Sequence, residues 1–522
     1  MTNLRIGLIL PDETIPAWAA RLLEKTRAWP EVEVVSVLII PQEKNTSSLF
    51  RAYFNLDRRT FHPKPSPWEA QPLPADLHLL RGEYTAQLQA LRLDILLNMS
   101  LEEFPAELPS LARLGVWTVR DGQSRLVIGA PVGWRELSQN NLLTACQVEV
   151  TRADGNVQIV AQALLATDPL SVSRNQLRLL WRAAAMVPRA LHQLIRRGEA
   201  DFFAAAQAAV QAQHAALPDL FQLAMLGPKQ LFRKLSKMFR KLFLFDQWML
   251  MVAPRPNVAP LSWEGFHPLV PPRDRFWADP FVVERDGQTY VFIEELFFAK
   301  KRGAISVLSL DAEGRIASNK PILERPYHLS YPFVFEHQGT WYMIPETNGN
   351  RSVEAYRCTQ FPDQWIFEKT LLRDIPAWDT TLLEHEGRWW MFVNLVSDEG
   401  NATWDSLYLF YANDPLSENW TAHPLNPIVA DVRSARPAGR LFFRDGKLMR
   451  PSQDSSHRYG YSLRLNRIDK LTTTDYVETC VETLFPPRGR NIIATHTLTS
   501  TDKWTVIDIQ SRRSRFSDRV KI

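Results

Sequence analysis

Four carboxylates in this chain are spaced so that a single kind of hairpin would bring them to one edge. Asp279 and Asp379 each lie eight residues before a turn glycine, Gly287 and Gly387, and Glu294 and Glu346 each lie seven residues after one, Gly287 and Gly339. A tight turn joins two antiparallel strands, so positions at those distances stand beside each other at the open end. The same count adds Tyr331 and Ala438 before their turns, and Asn394 and Gln453 after them. A carboxyl crowded by other carboxylates has its pKa raised, as a general acid requires, and an acid paired with a second carboxylate is what cleavage or transfer of a glycosidic bond demands. Trp277, Trp378, Tyr331, Asn394, Arg436, Gln453, Asp454 and His496 fall near the same edge and supply the aromatic faces and polar groups that suit a carbohydrate. The catalytic candidates are therefore Asp279, Asp379, Glu346 and Glu294. The competing reading is structural: Glu294, Glu295 and Glu346 pair with Arg273, Arg275, Arg436 or Arg450 around an axis.

The elements that would hold these residues repeat. Units start near Asp279, Tyr331, Asp379, Ala438 and His496, at intervals of roughly fifty to sixty residues, long enough for four strands each. Turns at Asp286-Gly287, Gln338-Gly339, Glu386-Gly387, Asp445-Gly446 and Asp502-Lys503 sit between apolar runs such as Thr289–Ile293 and Arg388–Val393, the pattern of a β-hairpin. Later strands show as Ala304–Leu310, Ser352–Tyr356, Ser406–Tyr411 and Tyr459–Leu465. Five such units close into a β-propeller over 248–522, with Trp341, Trp389 and Trp390 packing its blades.

Upstream, residues 1–170 alternate short apolar runs, Leu4–Leu10, Val32–Ile40 and Leu93–Leu97, with helix-like stretches at Trp18–Ala28 and Tyr84–Leu91. That alternation predicts an α/β domain of βαβ units with a largely parallel sheet. The proline-rich stretch 41–78 reads as a surface loop. Residues 171–247 read as a helical connector, with Leu177, Leu180, Trp181 and Ala184 at helix spacing and an alanine-rich run from Ala204 to Ala216. Its last part carries an apolar stripe of Leu231, Phe232, Leu235, Met238, Phe239, Leu242 and Phe243, flanked by Lys229, Arg233, Lys234, Lys237, Arg240 and Lys241 with no acid among them. Such a helix either packs between domains or lies on an anionic membrane surface.

At 522 residues the chain exceeds a single core, and its net charge of +4 gives no footprint of a nucleic-acid binder. Cys146, Cys358 and Cys480 are widely spaced, which fits a reducing compartment and no zinc pattern. No basic leader with an apolar core and no long uninterrupted apolar run appears, so the expected location is cytoplasmic, with membrane-surface contact through 229–243 as an option. Neither a cofactor nor a metal is called for.

The motifs Trp277-Ala-Asp-Pro-Phe281, Tyr331-Pro-Phe333, Trp378-Asp-Thr-Thr381, Arg436-Pro-Ala-Gly439, Arg450-Pro-Ser-Gln-Asp454 and Thr495-His-Thr497, taken in order, resemble the five-bladed propellers of furanosidase-type glycoside hydrolases. More closely they resemble the domain that precedes the glycosyltransferase module of plant glucosamine inositolphosphorylceramide transferases. The resemblance implies Asp279 as base or nucleophile and Asp379 as the second aspartate that tunes the acid; the glutamic acid the hydrolases take from a later blade is missing at Arg436-Pro-Ala-Gly439, and Glu294 or Glu346 would replace it. Residues 93–100, 111–122 and 148–155 resemble the formyltransferase fold, with the family's Asn-x-His falling on Thr118 and Arg120. Threonine has no amide to hold an oxyanion and arginine is no base near neutral pH, so that chemistry is expected to be lost. The leading functional expectation is hydrolysis or transfer on a glycan, glycolipid or sugar-nucleotide ligand. The alternatives are a non-catalytic glycan-binding or scaffolding protein, and residual formyl or acyl transfer.

Overall fold

The computed structural model describes residues 3–41, 48–61, 64–121, 133–208, 228, 232, 235–236, 238–256, 259–396, 402–489 and 491–517. The chain divides into two units, Met1–Arg233 with Ser397–Ala402, and Lys234–Val396 with Thr403–Ile522.

In the first unit, strands rich in Leu, Ile and Val build one sheet in the order His78–Leu80, Val32–Ile39, Leu4–Leu10, Ile95–Asn98, Val116–Asp121, Leu143–Thr151, Val157–Ala166, Gln207–Ala208. The first five are parallel; the hairpin of Leu143–Thr151 with Val157–Ala166, and the two-residue strand at the edge, run antiparallel. The sheet is thus mixed where a largely parallel one is expected, because the turn at Asp154-Gly155 folds the chain straight back without a crossover helix. Helices Ala17–Arg27 and Val172–Arg197 cover it, the latter burying Leu177, Leu180, Trp181 and Ala184. The stretch 41–78 is more than a loop: it contains the helix Ser48–Phe61. Apart from Pro41, ahead of the helix, its prolines all follow Phe61, so they bound the helix and do not prevent it. Buried Asp57 in that helix accepts hydrogen bonds from Ser171 Oγ (2.9 Å) and Ser173 N (2.8 Å) at the start of Val172–Arg197. The alanine-rich run is helical only to Ala204 and pairs as a strand at Gln207–Ala208; residues 209–227 lie outside the described residues.

The second unit is the five-bladed propeller. Four turns, Asp286-Gly287, Gln338-Gly339, Glu386-Gly387 and Asp445-Gly446, have both residues at positive φ, the type I′ geometry whose twist matches the flanking strands. They join the inner two strands of blade 1 (Arg275–Arg285, Gln288–Phe297), blade 2 (Ser330–His337, Thr340–Thr347), blade 3 (Ala377–His385, Arg388–Leu395) and blade 4 (Arg436–Pro437 with Phe442–Arg444, Lys447–Asp454). Blade 5 is composite: Ile492–Ala494, Leu498–Ser500 and Thr505–Ser514 come from the end of the chain, Leu244–Ala253 and His267–Leu269 from the start of the unit. Pairing of Leu244–Ala253 with Thr505–Ser514 over ten residues closes the ring. Apolar clusters fill the spaces between blades, among them Phe281, Phe292, Phe333, Met343 and Met391, so the ring is held by packing and its polar residues collect at the axis.

Candidate active site on the propeller axis

The inner strands of blades 1 to 3 are each broken by a bulge. Between the pairs Ala278↔Glu294 and Phe281↔Phe292, Ser330↔Glu346 and Phe333↔Ile344, Trp378↔Asn394 and Thr381↔Phe392, two residues oppose one. The first residue of each bulge is Asp279, Tyr331 or Asp379, with φ of +50°, +46° and +52°. A left-handed backbone at a non-glycine residue costs about 1–3 kcal/mol and collects at functional sites. The bulge also shifts the register by one, so that Glu294, Glu346 and Asn394 face the residue before the bulge, whereas the hairpin count alone sets them opposite the bulged residue. In blade 4 the positive φ falls one residue past the counted Ala438, at Gly439 (φ +122°), where a Cβ would come within 1.9 Å of the Leu498 carbonyl oxygen.

Tyr331, fully buried, ties three blades together: its hydroxyl accepts from Gly439 N at 2.7 Å and lies 2.9 Å from Thr381 Oγ1. Asp379, also buried, accepts from Arg436 Nε (2.5 Å) on Oδ2, from Arg436 Nη2 (3.2 Å) on Oδ1, and from Gln453 Nε2 (3.2 Å) on Oδ2. Arg436 Nη2 lies 3.7 Å from Glu346 Oε2. Burial and the neighbouring Asp379 charge hold the Glu346 carboxyl well above the ordinary glutamate range despite Arg436. One carboxylate is thus gripped through both oxygens by a guanidinium while its neighbour's pKa is pushed up.

Asp279 belongs to a second cluster. Its Oδ1 accepts from Thr497 Oγ1 (2.8 Å) and its Oδ2 from Tyr331 N (3.3 Å). His496 Nδ1 stands 3.7 Å from Asp279 Oδ1 and 2.6 Å from Asp508 Oδ2. Asp508, in the strand Thr505–Ser514, also accepts from the backbone N–H groups of Asp279, His496 and Thr497 at 2.9–3.0 Å. Burial works against a charge on His496, but Asp508 and Asp279 outweigh it and lift its pKa to about 9. Asp279 rises to about 7: burial is the main cause, opposed by His496 and reinforced by Glu294, Asp379 and Asp508. The imidazole ring stacks on Trp248, with centroids 4.0 Å apart.

The other candidates separate into those at the axis and those committed to structure. Glu294 is paired not with an arginine but with His328, Nε2 to Oε1 at 3.1 Å; Gly303 N donates to His328 Nδ1 at 2.9 Å, which leaves the proton on Nε2. Glu295 and Trp277 bond to each other, indole N–H to carboxylate at 2.9 Å; Ser306, Asn319 and Arg275 complete the carboxylate's shell, and the Trp277 ring packs in the cluster with Val282 and Ile293. Arg450 is held by Glu478, at 2.7 and 2.8 Å, and Asp454 lies 3.4 Å from Arg464. Trp378 is half-buried beside Asp379. Asn394 and Gln453 are buried, and the amide oxygens of both have no partner among the described residues. The hairpin count did not find Asp508, His328, or Tyr459, whose ring lies 5.0 Å from the Arg436 guanidinium and 5.5 Å from His496. Asp508 left a trace in the sequence, a lone carboxylate in Val506-Ile-Asp-Ile509.

Asp279, His496 and Asp508 each bring one potential metal-ligand atom within 4.8 Å of the others.

Residues 270–501, the propeller apart from its first two strands and its last, match the family model described as glucosamine inositolphosphorylceramide transferase 1, N-terminal. The propeller is similar to that domain. The glucosamine inositolphosphorylceramide transferase 1 of Oryza sativa subsp. japonica is 37% identical over 218 residues, 41% of this chain and 28% of that protein. That of Arabidopsis thaliana is 35% identical over 208 residues, 39% of this chain and 27% of its own length. The matched segment therefore spans little more than a quarter of these relatives. Among solved structures, Zg3597, a family 117 glycoside hydrolase of Zobellia galactanivorans, is 12% identical with a TM-score of 0.33, covering 53% of this chain and 93% of that one. A GH43_1 enzyme from Xanthomonas citri is 13% identical with a TM-score of 0.34, covering 45% and 82%.

Proposed function

We propose that the axial cup binds a saccharide and processes a glycosidic bond. The observation that carries this reading is the meeting of three carboxyls on the axis: Asp379 gripped through both oxygens by Arg436, Glu346 beside it with its pKa pushed well up, and Asp279 with its pKa raised to about 7. Glu346 is then the acid that protonates the leaving oxygen, Asp279 the base or nucleophile, and Asp379 the charge that keeps Glu346 in its acid form. Binding groups are to hand. The amide oxygens of Asn394 and Gln453 have no partner among the described residues and can accept sugar hydroxyl protons, and Trp378 and Tyr459 offer faces for a ring. The similarity to the glucosamine inositolphosphorylceramide transferases supports a glycolipid or sugar-nucleotide ligand. The experiment is a screen of glycosides, glycolipids and sugar nucleotides for turnover, repeated on Asp279→Asn and Glu346→Gln; full activity in both variants removes the proposal.

A second reading, saccharide binding without turnover, is favoured by Arg436, which occupies with a cation the blade where the hydrolases place their glutamic acid. Binding that survives both substitutions, with no product from any donor, selects it.

For the N-terminal unit we propose a formyltransferase-like scaffold without transfer chemistry. Thr118 and Arg120 are buried, and Arg120 is tied to the Leu101 carbonyl oxygen at 3.3 Å. Titration with a folate cofactor tests this, and specific binding contradicts it. A cytoplasmic location stays part of the proposal, and fractionation of the native cell checks it.

A further inference from the structure

The start of blade 5 leads to a surface that the axial site does not use. Helix residues 238–243 run directly into the strand Leu244–Ala253, which pairs with Thr505–Ser514 from Leu244↔Ser514 to Ala253↔Thr505. The turn between Ser500 and Thr505 lies at the Ala253 end, on the same side as the other hairpin turns and away from the mouth. The helix therefore emerges at the mouth. Trp248, stacked on His496, is four residues inside Leu244, so the helix begins about 13 Å above the imidazole at 3.3 Å per residue.

This helix keeps its apolar stripe in solvent. Leu235, Met238, Phe239, Leu242 and Phe243 are 48–65% exposed. Phe516, 77% exposed just past Ser514 at the same end of the ladder, extends the stripe: its ring lies 6.3 Å from Phe243, which lies 5.6 Å from Phe239. Exposed aromatics in a contiguous patch mark an interaction surface. The charge along this stretch of sequence has one sign. Between Asp219 and Asp246 the sequence has Lys229, Arg233, Lys234, Lys237, Arg240 and Lys241 and no acid. Arg458 adds to this charge: burial and the nearby charges of Arg512 and Arg240 lower its pKa, Asp246 being the one acid opposing them. Arg458 immediately precedes Tyr459, the ring over Arg436 at the axis.

We propose that the helical residues 235–236 and 238–243, with Phe516, dock the mouth of the propeller onto an anionic membrane surface, so that the axial cluster meets the head group of a lipid-linked saccharide. Apolar rings buried at the acyl boundary with lysines and arginines at the phosphate level form the standard interfacial arrangement. Its placement at the mouth, not on the turn face, is what ties it to the cup. The lipid-linked nature of the substrate rests on the saccharide reading above; the docking does not.

The test is flotation of the full-length protein with vesicles of phosphatidylcholine alone and of phosphatidylcholine mixed with phosphatidylserine. Binding is expected to be at least about tenfold stronger to the anionic vesicles and to fall with added salt, since each basic residue near the surface contributes about 1 kcal/mol. F239D/F243D and, separately, R240E/K241E are each expected to lose at least about tenfold of that binding with an unchanged unfolding midpoint. Equal flotation with both vesicle types, or variants that float as the wild type does, overturns the proposal. So does a concentration-dependent dimer in sedimentation velocity that is abolished by F239D/F243D while vesicles are ignored. Vesicle binding without any saccharide binding leaves the docking standing and removes the saccharide reading.

Discussion

Arg436 holds Asp379 by both carboxylate oxygens, Nε 2.5 Å from Oδ2 and Nη2 3.2 Å from Oδ1, and the two side chains come from different blades at the centre of the ring. Removing one partner strands the other as a buried charge, at a cost of about 3–5 kcal/mol. Arg436→Met is predicted to lower stability by that order in chemical denaturation. Arg436→Lys keeps the charge but loses the two-pronged contact, and is predicted to fall between the wild type and Arg436→Met.

Asp279→Asn and Glu346→Gln preserve shape and remove an ionisable proton. Each is predicted to reduce turnover by about 10²–10⁴-fold, with saccharide affinity within a few-fold of the wild type. Steady-state kinetics and calorimetric titration, run on the same preparations, separate the two effects.

Asp279 must be ionised to act as base, and its pKa stands at about 7. The acid limb of kcat/KM is therefore predicted to rise through about pH 7. His496→Gln removes the cation that lowers the Asp279 pKa and is predicted to move that limb to higher pH. A limb that stays in place in the variant contradicts the assignment.

His496 also makes stability pH-dependent. Its folded pKa, about 9, lies above the ordinary histidine value of 6.5, so its charged pairing stabilises fully below about pH 6.5 and is lost as pH rises through about 9. Asp279, with its folded pKa raised from 3.8 to about 7, acts in the same direction at lower pH: its stabilising, protonated form is lost as pH rises through that interval. The unfolding midpoint is predicted to fall between pH 6.5 and 9.5, by a change on the order of 1–3 kcal/mol, and His496→Gln is predicted to flatten the curve in that range.

The turns were the legible part of this fold. A glycine after Asp, Gln or Glu between two strand-like runs requires positive φ at both positions, and all four such pairs adopt it. The carboxylates were legible because distance from a turn fixes height along a hairpin, and Asp279, Glu346 and Asp379 do meet at the axis. The one-residue offset was not, because a bulge starting at Asp279, Tyr331 or Asp379 leaves no mark in hydrophobic periodicity. His328 comes from the loop between blades 1 and 2, which carries no periodicity, and Asp508 from the last strand, which meets Asp279 of blade 1 only through ring closure. The helix Ser48–Phe61 was hidden by prolines that follow it, and the antiparallel half of the first sheet by strands whose apolar runs read alike in either direction.

Tyr331→Phe tests the core of the axis without touching a carboxylate. It removes the acceptor of the Gly439 N–H and the contact with Thr381, leaving a buried donor unpaired. A loss of about 1–3 kcal/mol in denaturant unfolding is predicted.

The most direct measurement is a crystal structure of the D279N protein soaked with a glycoside or glycolipid head group that the screen identifies as binding. The account predicts a sugar ring in the axial cup, with its glycosidic oxygen within hydrogen-bond reach of the Glu346 carboxyl and its hydroxyls on the free amide oxygens of Asn394 and Gln453. A saccharide ordered elsewhere on the protein, with the cup holding only solvent, contradicts it.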